Sequence, residues 1–319
     1  MNTLGERPNM VRASYPALHE KGLLRARAEN ALKLLEDCRL CPRGCARDRT
    51  RGEHGFCRTG RYASVASYGP HFGEEAPLVG TNGSGTIFFS SCNLLCSFCQ
   101  NSEISHGRQG TETGPAELAA MMLDLKEQGC HNINFVTPSH VVPQILEALA
   151  IAAESGLDLP LVYNTGGYDA VETLKLLDGV IDIYMPDFKF WDGEAALTFC
   201  SAPDYRDIAC KAIGEIHAQV GDLILDEAGI AERGLLVRHL VMPSGLAGTG
   251  DVMRFLAQEV SRNTYVNIMD QYRPCYRAAG DPRAGRRITA DEYEEAVEEA
   301  RQAGITRLDR RNRFFPRSF

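Results

Sequence analysis

The chain has 319 residues and a formal net charge of −8, with 44% hydrophobic and 24% charged residues. That length suits one large α/β domain or a domain with an appendage, and the composition is that of a globular rather than a disordered protein. No apolar run approaches the roughly 20 residues that cross a bilayer, and the start MNTLGERPNM has neither an apolar h-region nor a small-residue cleavage site, so no membrane association and a cytoplasmic location are expected.

The charge is unevenly spread: Met1 to Asn82 carry 13 Lys and Arg against 9 Asp and Glu, and the remainder 21 against 33. An acidic body argues against nucleic-acid binding. Eleven cysteines in a reducing compartment point to thiolate metal ligation rather than to disulfides.

Taken in chain order, Tyr15 to Asp37 reads as a helix with Leu23, Leu24, Ala28, Leu32 and Leu35 on one face. Cys38 to Gly85 shows little periodicity and is expected to depend on its cysteines for order, so residues 1–82 form a helix and a cysteine-rich metal-binding module. From residue 83 to 319 short β-branched runs alternate with longer amphipathic ones. The predicted strands are Thr86 to Phe89, Asn132 to Val136, Leu159 to Tyr163, Val180 to Tyr184, Leu235 to Val241 and Tyr265 to Ile268. Helices are predicted at Pro115 to Gln128, Val141 to Ser155, Ala170 to Leu177, Gly193 to Gly221, Gly250 to Ser261 and Ala290 to Ala303, the last with Thr289 and Glu292 as a capping box. Six such units are too few for a closed eight-stranded barrel; a partial (βα)6 TIM-like barrel, open on one side, fits the count.

Seven cysteines fall in two clusters. Cys38, Cys41, Cys45 and Cys57 supply four thiols, a complete set for tetrahedral zinc or a second, closed iron–sulfur cluster, with plain structural thiols as the remaining alternative. Arg39, Arg43, Arg47, Arg49, Arg51 and Arg58 interleave with them, as in a solvated loop or a dock for an acidic partner. Cys92, Cys96 and Cys99, in SSCNLLCSFCQN, follow the first predicted strand, at the mouth where barrel sites are built. Three thiolates leave one iron of a cubane cluster open, whereas zinc would need a distant fourth ligand.

CX3CX2C with Phe98 just before its third cysteine resembles the signature of the radical S-adenosylmethionine superfamily. TPSH (Thr137 to His140), YNTGGYD (Tyr163 to Asp169), YMPDFKFW (Tyr184 to Trp191), VRHLVMPSG (Val237 to Gly245) and NIMDQYRP (Asn267 to Pro274) are similar to the pyruvate formate-lyase activating enzyme-like subgroup, over Cys38 to about Arg277. The resemblance implies an oxidoreductase that splits S-adenosylmethionine reductively at a 4Fe-4S cluster held by Cys92, Cys96 and Cys99. A hydrogen is then taken from a substrate, either a glycyl radical enzyme or a small molecule. It also implies an external one-electron reductant such as flavodoxin or ferredoxin. By position, Asn134 and Thr137 would lie at the cofactor's amino group, although Asn134 to Pro138 contain no GGE sequence. Asn164 and Thr165 would lie at its ribose or carboxylate; Asp187, which ends the fourth strand with Lys189, would suit ribose hydroxyls or the sulfonium charge, and Arg238 a carboxylate; for each polar residue the alternative is a cap or loop hydrogen bond.

Cys130, Cys200, Cys210 and Cys275 read as isolated small buried hydrophobes; for Cys275 in QYRPCYR, packing in the core or behind the site is expected, with a radical relay facing the cavity as the alternative. The arginine-rich module is expected to cover part of the mouth. The basic ending RLDRRNRFFPRSF reads as a frayed terminus.

Overall fold

The computed structural model describes residues 13–309, so the basic tail from Arg310 onward lies outside the described residues. Among them are nine strands: β1 (Ala63–His71), β2 (Ser84–Phe89), β3 (Thr111–Thr113), β4 (Ile133–Val136), β5 (Leu161–Thr165), β6 (Ile183–Pro186), β7 (Ile224–Leu225), β8 (Ala231–Leu240) and β9 (Tyr265–Met269). β2, β4, β5, β6, β8 and β9 pair in that order and all in parallel. They are the six predicted strands with ends shifted by a few residues.

The other three strands depart from the sequence expectation. β1 pairs antiparallel with β2, β3 with β1, and β7 with β8. β1 lies inside the stretch expected to lack regular structure, because only Ala63 and Val65 of its nine residues are buried and no alternation marks the rest. The sheet therefore takes a strand from each side of residue 82.

The helices fall near their predicted places, with three breaks. The first predicted helix is two, Tyr15–Glu20 and Leu23–Lys33, separated at Gly22, whose φ of +70° ends the first turn; Leu23, expected on the apolar face, is exposed. The long region from Gly193 divides into Gly193–Cys200 and Tyr205–Val220 at Ser201, φ +54°. Thr249–Phe255 runs into a π-helical turn, Leu256–Val260. The last helix keeps its capping box: Thr289 Oγ1 accepts from Glu292 N at 3.2 Å and Glu292 Oε2 accepts from Thr289 N at 2.8 Å.

Strand side chains alternate between two faces. Ile87, Phe89, Phe135, Tyr163, Tyr184, Leu235 and Val266 join the main core with helix residues such as Met122, Leu125, Ile145 and Ile213. On the opposite face Val162, Ile183, Met185 and Leu236 surround Leu78 from the short helix Ala76–Val79. Further along the strands that face turns polar with Asn164, Asp187, Arg238 and Asn267, Arg238 standing in register between Asp187 and Asn267.

The loop after β5 closes onto β6 through Gly167, whose φ is +76° and whose Cβ would meet the Asp187 carbonyl oxygen at 2.1 Å. Tyr205 Oη seals the contact by donating toward the Gly166 and Asp187 carbonyls at 2.8 and 2.9 Å. Gly167→Ala is therefore expected to lower stability by roughly 2–4 kcal/mol, from left-handed strain plus backbone overlap. Denaturant unfolding checks this, and an unchanged midpoint would mean that the loop does not close there.

Candidate functional site

Beyond β2 the chain turns through Ser90 and Ser91 into the CX3CX2C loop. Ser91 and Leu95 take left-handed φ values of +73° and +56°, curling the loop so that Leu94 N donates to Cys92 Sγ at 3.3 Å. Phe98 anchors it from below against Phe190, Tyr272 and Phe199, at ring-centroid distances of 5.7, 6.3 and 6.4 Å. Cys99 Sγ lies 3.2 Å from Ser105 Oγ, and Cys96 Sγ lies 3.2 Å from the sulfur of Cys200, which is therefore not the isolated thiol expected from its sequence position. Burial, then the neighbouring Cys96, pushes the Cys92 thiol up to about 11. The hydrogen bond to Cys200, then burial, pushes Cys96 well up, and burial raises Cys99. All three hold their protons at neutral pH, and a bound cation would be needed to displace them.

Cys96, Phe98 and Cys99 line a cavity of about 210 Å³ whose other walls include Asp187, Lys189, Arg238, Leu240, Met242 and Met269. Its floor is a charge cluster. Arg238 donates to Asp187 Oδ1 from Nε at 2.8 Å and to Asn164 Oδ1 from Nη2 at 2.7 Å, and Lys189 Nζ donates to Asp187 Oδ2 at 2.5 Å. Burial pushes Asp187 upward, but Arg238 and Lys189 outweigh it and hold the carboxyl below its ordinary value. Burial pulls Lys189 down, and the Asp187 charge more than reverses it, so Lys189 stays cationic.

Two residues that sequence reasoning missed complete the floor. Glu74 and Glu75 are buried beside Arg238, at 3.8 and 4.0 Å, and Asn267 Nδ2 donates to Glu75 Oε1 at 2.9 Å. Their only signal was a pair of acids inside the otherwise apolar stretch HFGEEAPLV. Of the predicted site residues, Cys96, Phe98, Cys99, Asp187, Lys189 and Arg238 line the cavity and Asn164 touches it through Arg238. Asn134 lies mid-strand and donates to Ser84 Oγ at 3.2 Å. Thr165 points to the helix side, its hydroxyl bound to Asp169 and Ser139 at 2.5 and 3.0 Å. Thr137, φ +63°, donates its backbone N–H to the Asn164 carbonyl at 2.9 Å. Cys275 is not among the lining residues, and neither is any residue of the arginine-rich module. The module packs against the loop: Arg43 Nε donates to Asn93 O at 2.8 Å and its Nη1 to Ser201 O at 2.5 Å.

Cys38, Cys41, Cys45 and Cys57 converge on a separate enclosed cavity of about 10 Å³. Among the described residues no three Cys, His, Asp or Glu side chains already stand in coordinating geometry.

Burial, opposed by Arg238 and reinforced by Glu75, raises Glu74 from 4.5 to about 7. A carboxyl that holds its proton more tightly when folded makes the folded state lose stability as pH rises through that window. Glu74→Gln should therefore match the wild type near pH ~4 and exceed it near pH ~8, with less of the wild type's decline between them. Thermal unfolding of both proteins across pH checks this; an equal loss at every pH would mean that Glu74 is ionised against Arg238 throughout.

No family model matches the chain. The uncharacterized protein MJ0674 of Methanocaldococcus jannaschii is 33% identical to it over 291 residues, which cover 89% of this chain and 80% of that protein. At that identity and coverage the two share a fold and a lineage, and the chain belongs to the family of MJ0674.

Proposed function

We propose that the chain is a radical S-adenosylmethionine oxidoreductase, its six parallel strands curved into a partial (βα)6 barrel with the cysteine loop at the mouth. The observation that carries this reading is the three-thiol loop at the C-terminal end of the first parallel strand, beside a cavity with a charged floor. The donor set fits a 4Fe-4S cluster: three thiols within eight residues, N–H groups of Leu94 and Leu95 aimed at the Cys92 sulfur, and open space next to Cys96 and Cys99. When bound, the cluster and S-adenosylmethionine supply one-electron cleavage of the sulfonium and the radical that abstracts hydrogen.

The chain's own residues have other tasks. Asp187, kept anionic by Arg238 and Lys189, offers a carboxylate edge to ribose hydroxyls or a cationic group. Lys189 offers a cation toward a carboxylate. Leu240, Met242 and Met269 keep the upper wall apolar and limit water. Arg43, Arg47 and Arg58 border an open groove of about 600 Å³ against Leu95, which suits an acidic one-electron reductant such as flavodoxin or ferredoxin.

Because no described residue of the module lines the cavity, the site has room for a polypeptide segment, which favours activation of a glycyl radical enzyme over modification of a small molecule. Single Cys92→Ala, Cys96→Ala and Cys99→Ala variants, reduced anaerobically, should lose S-adenosylmethionine cleavage entirely; full activity in any of them overturns the assignment. Wild-type protein incubated with cofactor and candidate glycyl radical enzymes should give a glycyl radical signal in electron paramagnetic resonance. Hydrogen transfer from a metabolite fraction with no such signal would reject the activase version.

A further inference from the structure

We propose that Cys38, Cys41, Cys45 and Cys57 bind a single structural zinc ion and not a second iron–sulfur cluster. This reading is independent of the chemistry proposed at the CX3CX2C loop. The four thiols share one enclosed cavity of about 10 Å³, the space of roughly one water-sized sphere. Tetrahedral zinc needs only that, with four sulfurs about 2.3 Å from the ion. A cubane would have to fit four irons and four sulfides inside the same ring of side chains.

A second observation points to an anionic metal site at these four thiols, while the cavity's size selects zinc. Arg49 lies in the wall of this cavity, 1% exposed. Its Nε donates to Gly60 O at 3.0 Å, and its Nη1 donates to His140 O at 2.9 Å and toward Cys38 Sγ at 3.7 Å. Nη2 is buried without a hydrogen-bond partner, and Arg49 makes no ion pair among the described residues. A buried guanidinium without countercharge is strongly unfavourable. Zinc bound by four thiolates carries a net charge of −2, so the filled site would supply both the missing charge and sulfur acceptors. Binding releases one proton from each thiol, so zinc affinity should fall as pH is lowered.

The site would also act at a distance. Arg43, between Cys41 and Cys45, holds the backbone at Asn93 and at Ser201. His140, whose carbonyl takes an Arg49 bond, reaches Ser90 O through Nε2 at 3.0 Å, two residues before Cys92. Zinc would thereby position the CX3CX2C loop without touching its thiols.

The test is elemental analysis of the anaerobically purified full chain, both wild type and the triple Cys92→Ala, Cys96→Ala, Cys99→Ala variant, each supplied with zinc and iron during expression. About one zinc per chain is expected in both, with no iron or sulfide left in the triple variant. Cobalt exchanged into the triple variant should show the strong visible bands of a tetrahedral thiolate site, and Cys57→Ala should lose both zinc and those bands. If Cys57→Ala fails to fold, the metal content and cobalt spectrum of the triple variant still decide the question. Iron and sulfide persisting in the triple variant would mean a second cluster, and metal-free protein after zinc supply would mean plain thiols; either result overturns the proposal.

Discussion

The largely buried guanidinium of Arg238 is the group around which the polar face of the sheet is arranged. Removing one partner from a buried ion pair typically costs about 3–5 kcal/mol, so a cation on β8 at this depth requires acceptors from its neighbours. Asn164 on β5 and Asp187 at the end of β6 supply hydrogen bonds, and Glu74 and Glu75 approach from the segment before the Ala76–Val79 helix. The orientation of Lys189 follows from the same charge, since both cations share Asp187. Three carboxyl groups face two cations there, and burial, reinforced by Glu75, lets one of them, Glu74, hold its proton to about pH 7.

That arrangement explains why the face is divided into two levels. Around Leu78 the side chains Val162, Ile183, Met185 and Leu236 exclude water, and one step along the same strands the residues become polar and then open into the cavity. The dry level beneath lowers the local dielectric, which strengthens every ion pair above it. Asp187 can therefore stay ionised although it is largely withdrawn from solvent.

The six parallel strands were legible because a sheet buried on both faces needs continuous apolar, β-branched runs, and those survive in the sequence as such. β1 and β7 were not legible: β1 is an edge partner with most of its residues at least partly exposed, and β7 has only two residues, so neither carries a pattern. Among site residues, sequence placed Asn164 and Thr165 together at a strand end. The two-residue period separates them, so that Asn164 meets Arg238 while Thr165 joins Asp169 behind the sheet. Glu74 and Glu75 went unnoticed because burial is not visible in a pair of charges. Cys200 was not legible as a neighbour of Cys96 because 104 residues separate them and only the packing of Gly193–Cys200 brings the sulfurs together.

The cysteine loop poses the reverse problem, since its local conformation is unfavourable. Ser91 and Leu95 both sit at left-handed φ, where a non-glycine residue costs of order 1–3 kcal/mol. Such a conformation persists only if its surroundings over-determine it, and here they do so from four directions. Ile104 O accepts from Ser91 N, Phe199 O accepts from Ser97 N, and the Ser97 carbonyl takes the N–H groups of Arg277 and Ala278. Asn93 is held on both sides, its carbonyl by Arg43 and its amide by Tyr168 O. Because Arg43 is flanked by Cys41 and Cys45, the conformation of the three-thiol loop depends on the order of the four-thiol module. The two cysteine clusters, 35 residues apart at their nearest members, thus form one mechanical unit in which the enclosed set steadies the open one.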